Sequence, residues 1–198
     1  MFAHDDLQAS NLTLFAEDLI RLTSKLNFVA DAHLVYNERN SSDRFPQPDL
    51  RPWYSHMSKK YRYFRSQNTT LNQHWTAFNP RIGLIYSPFK GEDVQLFGNL
   101  SRSYEPPTFD ELVGTEVTTN INTSPKRLYA IALDKQTATT LELGSKGRTT
   151  RFSWNVAAYR SWVHNEILEV KDYVRGIKRT ENYPTTLHQG VEVGLNAV

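Results

Sequence analysis

The sequence of 198 residues contains no cysteine, almost no excess charge and no long apolar run. Without cysteine there is no disulfide framework, and no thiolate is available for catalysis or metal binding. The 23 basic and 21 acidic residues give a net charge of +2, which is too balanced to indicate nucleic acid as a partner. No stretch approaches the roughly 18 apolar residues of a membrane-spanning helix. A membrane barrel is not excluded, because its strands are apolar only at every second position.

The stretch LNFVADAHLVY, from Leu26 to Tyr36, alternates apolar with mostly polar residues. A period of two predicts a strand with one apolar and one polar face. Similar patterns recur along the chain, although Phe15 and Leu19 fall among the polar positions of the first strand and Arg160 among the apolar positions of the sixth. Seven strands are expected, over residues 11–22, 26–39, 75–87, 94–104, 137–145, 151–163 and 186–198.

The connections between these strands alternate between short and long. Residues 40–72 and 105–135 lack strand periodicity, residues 164–181 form a link of middling length, and the prolines of the first long connection oppose a hydrogen-bonded ladder. Short connections at one end and long ones at the other are typical of outer-membrane barrels. The predicted fold is therefore all-β, part of an antiparallel up-and-down transmembrane β-barrel, with the apolar faces toward lipid and the polar faces toward a lumen.

At NPRIGLIYSP and VQLFGNLSRSYEPPTFDEL, the sequence resembles the barrel domain of TonB-dependent outer-membrane receptors. Further similarities are TLELGSKG, Tyr159, NEIL, and Glu181–Asn182 followed by HQGVEVGL. The motifs are weak singly but specific in their order, and they extend from about Asn11 to Val198. The matching residues of the two longer motifs are Asn79, Pro80, Gly83, Tyr86, Ser101, Ser103, Pro106, Pro107 and Phe109.

The resemblance implies an outer-membrane receptor that imports a ferric siderophore or another metal complex and is energised by TonB through a plug. The plugged barrels of such transporters have 22 strands. Residues 1–198 show no plug, TonB-contact segment, signal peptide or terminal strand ending in an aromatic residue, so we expect part of one barrel domain. No resident cofactor is implied. The expected partners are the metal complex, TonB, outer-membrane lipid and lipopolysaccharide, without nucleic acid.

The first long connection interleaves aromatic and cationic residues, which suits a flat, anionic, aromatic ligand through stacking and cation–π contacts. The alternative is an aromatic interface girdle with a basic loop that meets anionic lipopolysaccharide. The candidate ligand-binding residues are Trp53, Tyr54, His56, Arg62, Tyr63 and Arg65, within a stretch that also holds Lys59, Lys60, Tyr61 and Phe64.

Four polar residues in the predicted strands are expected to line the lumen: Asn99, Glu142, His188 and Glu192. They would hydrogen-bond a plug or a passing solute, or only hydrate the lumen. Arg102 is polar too, but it shares the strand parity of Leu100, which argues against a lumen position for it.

An enzyme is not expected. The six histidines form no zincin-type pair, and nucleophile-elbow and P-loop motifs are absent. The carboxylates of EPPTFDEL, Glu105, Asp110 and Glu111, would contact a ligand or a metal, act as a glycosidase pair, or merely accompany a strand exit made rigid by two prolines. The alternative to the receptor is a soluble β-sandwich that binds a ligand such as a carbohydrate.

Overall fold

The computed structural model describes residues 5–45, 50–55, 59–65, 67–89, 93–117, 126–172 and 177–197. These residues form strands and connecting segments without helix. Seven strands are long: β1 (Asp5–Arg21), β2 (Leu26–Asp43), β5 (Leu71–Tyr86), β6 (Val94–Glu105), β9 (Gln136–Arg148), β10 (Phe152–Asp172) and β11 (Ile177–Ala197). Four are short: β3 (Leu50–Ser55), β4 (Lys60–Arg65), β7 (Val113–Val117) and β8 (Lys126–Ala130).

The long strands pair antiparallel with their neighbours in the order β1-β2-β5-β6-β9-β10-β11, and β7 and β8 continue this sheet beyond β11. The seven long strands are those that alternation predicts, and their up-and-down order is confirmed. Directly paired residues share a face of a sheet. The register therefore aligns Leu34 with Leu14 and Phe78, and Leu141 with Leu100.

One face of this sheet is apolar and uncovered. Its side chains include Leu14, Leu143 and Val193, which are 64%, 58% and 61% exposed. A β-sandwich would bury such a face against a second sheet, and none covers it within the described residues. The described part of the chain contains no helix long and apolar enough to cross a membrane.

The opposite face is polar, and the residues that broke the alternation take defined places. Phe15 lies on the polar face, where its ring stacks on His33 at a centroid distance of 5.7 Å. Arg160 lies on the apolar face, paired with Leu141, and its guanidinium sits 5.4 Å from the ring centroid of Trp162.

The long connections contain strands that the sequence pattern did not predict. β3 and β4 form a separate hairpin in the first connection, in which Pro52 pairs with Tyr63. The expectation that the prolines there exclude a ladder is therefore wrong at Pro52. β7 and β8 form a second hairpin, and β7 pairs with β11. The link expected over residues 164–181 is mostly strand, because β10 continues to Asp172 and β11 begins at Ile177.

The ladder between β5 and β6 covers only part of these strands. It runs from the Tyr86–Leu96 pair to the Arg81–Ser101 pair, whereas the β2–β5 ladder continues through Ala32–Pro80 to Ser41–Leu71. Proline has no amide hydrogen to donate, so Pro80 is a suitable end for the β5–β6 ladder. We call the unpaired region beyond Arg81 the seam.

The buried apolar cluster lies toward the end of the sheet that bears the long connections. Leu112 and Leu133, from the connection between β6 and β9, pack on Trp75 of β5, which lies on the polar face. Ile131 and Ile167 pack against this cluster. The amide of Ile131 donates to the carbonyl oxygen of Leu112 over 2.8 Å. The connection therefore folds back onto the polar face.

Candidate functional site on the polar face

The four residues expected to line a lumen all belong to the polar face. Asn99 and Glu142 are direct partners on β6 and β9, and the Asn99 Nδ2 donates to the Glu142 Oε2 over 3.2 Å. Gly83 makes room for this pair, because a Cβ there would lie 2.5 Å from the Asn99 Oδ1. Gly83 of β5 therefore leaves the space that the hydrogen-bonded pair of Asn99 and Glu142 occupies.

His188 and Glu192 lie on the same face of β11, paired with Ser161 and Ala157. Ser161 accepts a hydrogen bond from the Thr140 hydroxyl over 2.8 Å. His188 thus stands at the end of a row of hydroxyl groups. These groups donate and accept hydrogen bonds without fixed charge, which suits a hydrated surface for polar solutes.

Glu166 joins this face although its sequence position predicts otherwise. Strict alternation from Trp162 through His164 would place Glu166 on the apolar face. Asn165 between them has a φ of 54°, a left-handed conformation that asparagine tolerates. Glu166 accordingly contacts two polar-face residues of β11: its carboxylate accepts from the Thr186 hydroxyl and lies 3.2 Å from the His188 Nε2.

These contacts favour the charged form of Glu166. The Thr186 hydrogen bond is the largest influence and lowers the pKa of Glu166 below its ordinary 4.5, with a smaller contribution in the same direction from His188, while burial acts against both. Glu166 lies beyond Trp162 and Leu187, where the apolar face ends. The Glu166 carboxylate is therefore an anionic, partly buried hydrogen-bond acceptor near the long-connection end of the polar face.

The candidate ligand-binding residues lie in or beside the β3–β4 hairpin. Their paired positions are Trp53 with Arg62, Pro52 with Tyr63, and Leu50 with Arg65. By strand alternation, Trp53 and Arg62 hold positions on one face of the hairpin, and Tyr54, Tyr63 and Arg65 on the other. His56 lies outside the described residues. The backbone thus brings one aromatic–cation pair together and divides the remaining positions between two faces.

The carboxylates of EPPTFDEL have separate partners. The Glu105 carboxylate accepts from the Gln136 side chain over 2.8 Å. The Glu111 carboxylate accepts from the Thr108 amide over 2.6 Å and from its hydroxyl over 2.9 Å. Asp110 is exposed. Glu111 therefore closes a turn, and the Thr-x-x-Glu spacing was a sequence signal for that role.

No group of three or more histidine, aspartate or glutamate side chains within the described ranges could hold a metal ion. The described polar face instead offers hydrogen-bonding amides, hydroxyls and carboxylates. Sequence reasoning missed two of its principal residues, Glu166 and Trp75. The Trp75 Nε1 donates to the carbonyl oxygen of Leu133 over 3.2 Å, a contact between segments 58 residues apart that no local pattern encodes.

Comparison with known proteins identifies the family. The TonB dependent receptor-like, beta-barrel family matches residues 2–198, and the chain belongs to that family. The fold expected from the sequence is confirmed: a sheet from the wall of a TonB-dependent barrel. The family consists of outer-membrane transport receptors rather than enzymes. A search of curated proteins by sequence found no match.

Solved structures show the same fold over nearly the whole chain. The copper transporter OprC matches with a TM-score of 0.70 at 13% identity, over 96% of this chain and 26% of that one. The ferric-catecholate import receptor Fiu from K12 E. coli matches with a TM-score of 0.61 at 16% identity, over 98% of this chain and 26% of the receptor. The ferric yersiniabactin uptake receptor FyuA from Yersinia pestis matches with a TM-score of 0.62 at 10% identity, over 96% of this chain and 24% of the receptor. The chain thus spans about a quarter of these neighbours.

Proposed function

We propose that this chain forms part of the barrel wall of an outer-membrane receptor that imports a ferric siderophore or a similar metal complex. The observation that carries the proposal is the family match over residues 2–198 on a sheet with one uncovered apolar face and one polar face. The neighbours named above are a copper transporter, a ferric-catecholate import receptor and a ferric yersiniabactin uptake receptor, so the proposed cargo class is a metal complex, with iron chelates first.

In this proposal the apolar face meets outer-membrane lipid and the polar face lines a lumen. Asn99, Glu142, His188 and Glu192 then contact the plug or the passing complex through hydrogen bonds. A plug domain blocks the lumen, and TonB pulls on it with energy from the inner membrane. The barrel itself makes and breaks no covalent bond.

The proposed capture element is the β3–β4 hairpin in the first long connection. Its candidate contact residues are Trp53, Tyr54, His56, Arg62, Tyr63 and Arg65. Support comes from composition, since guanidinium groups and aromatic rings bind anionic aromatic chelates, and from the pairing of Trp53 with Arg62. Lipopolysaccharide contact through the same basic residues is the competing role.

The test is growth under iron limitation. A Gram-negative host without its own chelate receptors would express the receptor that contains this chain and be fed single ferric catecholates, ferric hydroxamates, cobalamin or copper complexes. Growth on at least one iron chelate is expected, with uptake reduced about tenfold or more in Trp53→Ala and Arg62→Ala, as loss of a contact worth about 1.4 kcal/mol or more predicts. Growth on none of the iron chelates would contradict iron as the cargo. Uptake of cobalamin or copper in that case would identify another metal complex as the cargo.

The matched control for those variants is Trp154→Ala. Trp154 lies on the apolar face of β10, next to the short turn at the other end of the sheet. Uptake should be unchanged in this variant at equal receptor abundance. Equal uptake in Trp53→Ala, Arg62→Ala and Trp154→Ala would contradict the hairpin as the capture element.

A further inference from the structure

The hydrogen-bond ladders of β10 are incomplete around Glu166. Toward β9, the last residue of β10 with a register partner is His164. Toward β11, the register places Asn165 opposite Pro184, and proline has no amide hydrogen to donate. Backbone polar groups in folded proteins that lack a ladder partner are usually paired with another group. The peptide bonds beside Glu166 therefore depend on partners from outside these two ladders.

Two amide side chains are those partners. The Asn182 Nδ2 donates to the Asn165 carbonyl oxygen over 2.9 Å, and this oxygen belongs to the peptide bond that precedes Glu166. The Gln136 Oε1 accepts from the Ile167 amide over 3.0 Å, and this amide belongs to the peptide bond that follows Glu166. Each of the two peptide bonds that flank Glu166 is thus held by one amide side chain.

The same two side chains fasten the connection that precedes β9. The Asn182 Oδ1 accepts from the Asp134 amide over 2.8 Å, and its Nδ2 donates to the Asp134 carbonyl oxygen over 2.9 Å. One side chain therefore exchanges two hydrogen bonds with one residue, as a neighbouring antiparallel strand would. The Gln136 Nε2 donates to the Glu105 carboxylate over 2.8 Å. The residue before Asp134 accepts from the Trp75 indole, so the connection is held at consecutive points.

The held backbone aims the Glu166 carboxylate at β11. It accepts from the Thr186 hydroxyl and lies 3.2 Å from the His188 Nε2, with only 16% of the Glu166 side chain exposed. The φ of 54° at Asn165 is uncommon for a residue other than glycine. Such a conformation persists where surrounding contacts determine it, and the hydrogen bond from Asn182 is one of those contacts.

We propose that Asn182 and Gln136 are positioning residues, which fix Glu166 on the polar face and couple its carboxylate to the docking of the connection before β9. Each side chain joins this connection or its neighbour β6 to a peptide bond of Glu166, so release of the connection frees both bonds. The use of the site rests on the proposed function, in which Glu166 offers a fixed anionic acceptor to donor groups of a solute at the polar face. A group that is already fixed loses less conformational freedom on binding than a mobile one.

A double-mutant cycle in the receptor that contains this chain tests the proposal. Asn182→Ala, Gln136→Ala and Glu166→Ala are made singly, and each amide variant is also combined with Glu166→Ala. The unfolding temperature of the heat-modifiable band on electrophoresis is measured at pH 7. Residues that act through one another give non-additive losses, whereas distant residues give additive ones. The control partner is Asn196→Ala, which truncates an exposed asparagine at the other end of β11.

Glu166→Ala should lower the unfolding temperature of the parent receptor. In the Asn182→Ala and Gln136→Ala backgrounds it should cause less than half of that loss, because the carboxylate is no longer held against β11. In the Asn196→Ala background the loss should be complete. Additive losses with either amide variant, or no loss from Glu166→Ala alone, would overturn the proposal. Asn182→Asp keeps the acceptor and removes both donors, and it takes the place of Asn182→Ala if that variant does not fold.

Hydrogen exchange of the peptide that carries the Asp134 amide gives a second readout. Exchange should be about tenfold faster in Asn182→Ala, as loss of a hydrogen bond predicts. It should also be faster in Glu166→Ala, because coupling between two sites is reciprocal, and unchanged in Glu17→Ala on the polar face of β1. Exchange that is unaltered in Glu166→Ala would overturn the coupling. Chelate uptake, measured separately, reports on the proposed function, so the two proposals fail independently.

Discussion

The indole Nε1 of Trp75 donates a hydrogen bond to the backbone carbonyl oxygen of Leu133 across 3.2 Å. Trp75 belongs to a wall strand and Leu133 to the connection that precedes β9. The bond is buried, and Leu112 completes the apolar contact around it. The connection before β9 is therefore held against the polar face of β5 by one buried hydrogen bond and by apolar packing.

Replacing Trp75 should release this connection. Trp75→Phe removes the indole donor, leaves the Leu133 carbonyl oxygen without its partner, and shrinks the buried ring, at a cost of about 1–3 kcal/mol. Hydrogen exchange measured by mass spectrometry should show faster exchange of the Leu112 and Ile131 amides.

The control for this variant is Trp154→Phe. Trp154 also donates through its indole, to the Ser145 hydroxyl over 3.2 Å, but at the opposite end of the sheet. Exchange in the connection should stay as in the parent protein. Equal acceleration in both variants would show that Trp75 does not specifically hold the connection.

Glycine is required at residue 144 by close approach of its neighbours. A Cβ there would lie 2.3 Å from the Phe97 ring and 2.6 Å from the Val156 carbonyl oxygen. Gly144→Ala should therefore destabilise the barrel by about 1–3 kcal/mol through overpacking. The temperature at which the heat-modifiable band unfolds on electrophoresis measures this loss.

Gly194→Ala provides a matched comparison on the neighbouring polar-face row. At Gly194 the nearest atoms to an added Cβ are 3.7 and 3.9 Å away, which is ordinary contact. Its unfolding temperature should stay close to that of the parent protein. If both alanine variants lost the same stability, steric crowding by Phe97 and Val156 would not be the reason for Gly144.

The contacts of Glu166 predict a dependence on acid pH. Its pKa is lowered in the folded protein, first by the Thr186 hydroxyl and then by His188. A lowered folded pKa contributes stability above the unfolded value of about 4.5, and this contribution is lost as pH falls below it. Unfolding temperature should therefore fall between pH 5 and 3, more steeply in the parent protein than in Glu166→Gln. The control Glu192→Gln, on the same face, should keep the steeper fall.

Alternation along Leu26 to Tyr36 was enough to predict β2 and its two faces, because one face carries apolar side chains and the other mostly polar ones. Alternation does not predict strands where both faces of the sheet carry polar side chains. In the extensions of β10 and β11, Glu169 bridges to Lys171 and Lys178, so polarity no longer alternates and the region was interpreted as a link. Ladder hydrogen bonds continue there regardless of side-chain pattern.

Other features of the site have no local signal. Glu166 follows Asn165, which has a positive φ, and its carboxylate contacts Thr186 and His188, in a region that the sequence pattern predicts to be a link. The place of Trp75 depends on Leu133, far away in sequence. Asn99 and Glu142, in contrast, follow directly from strand parity, and the structure places both on the polar face; that this face lines a lumen stays a prediction.

The two faces should differ in their tolerance of charge. Val193→Arg places a cation on the apolar face of β11, where Val193 is 61% exposed, and should cost about 2–4 kcal/mol if it lies near the bilayer midplane. Glu192→Arg, one residue away on the polar face, should change stability far less. The amount of folded receptor in outer membranes, by heat-modifiable migration, measures both, and equal losses would contradict the assignment of faces.

The most direct test of the account is the solvent that each face meets in the membrane. The chain has no cysteine, so Leu143→Cys and Glu142→Cys each provide one attachment point for a spin label, on adjacent residues of opposite faces. In the receptor reconstituted into lipid, with any cysteines elsewhere in it replaced, electron paramagnetic resonance compares collisions with oxygen, which concentrates in lipid, and with a water-soluble nickel chelate. The account predicts that oxygen dominates at residue 143 and the nickel chelate at residue 142. The same preference at both residues would contradict a wall between lipid and lumen.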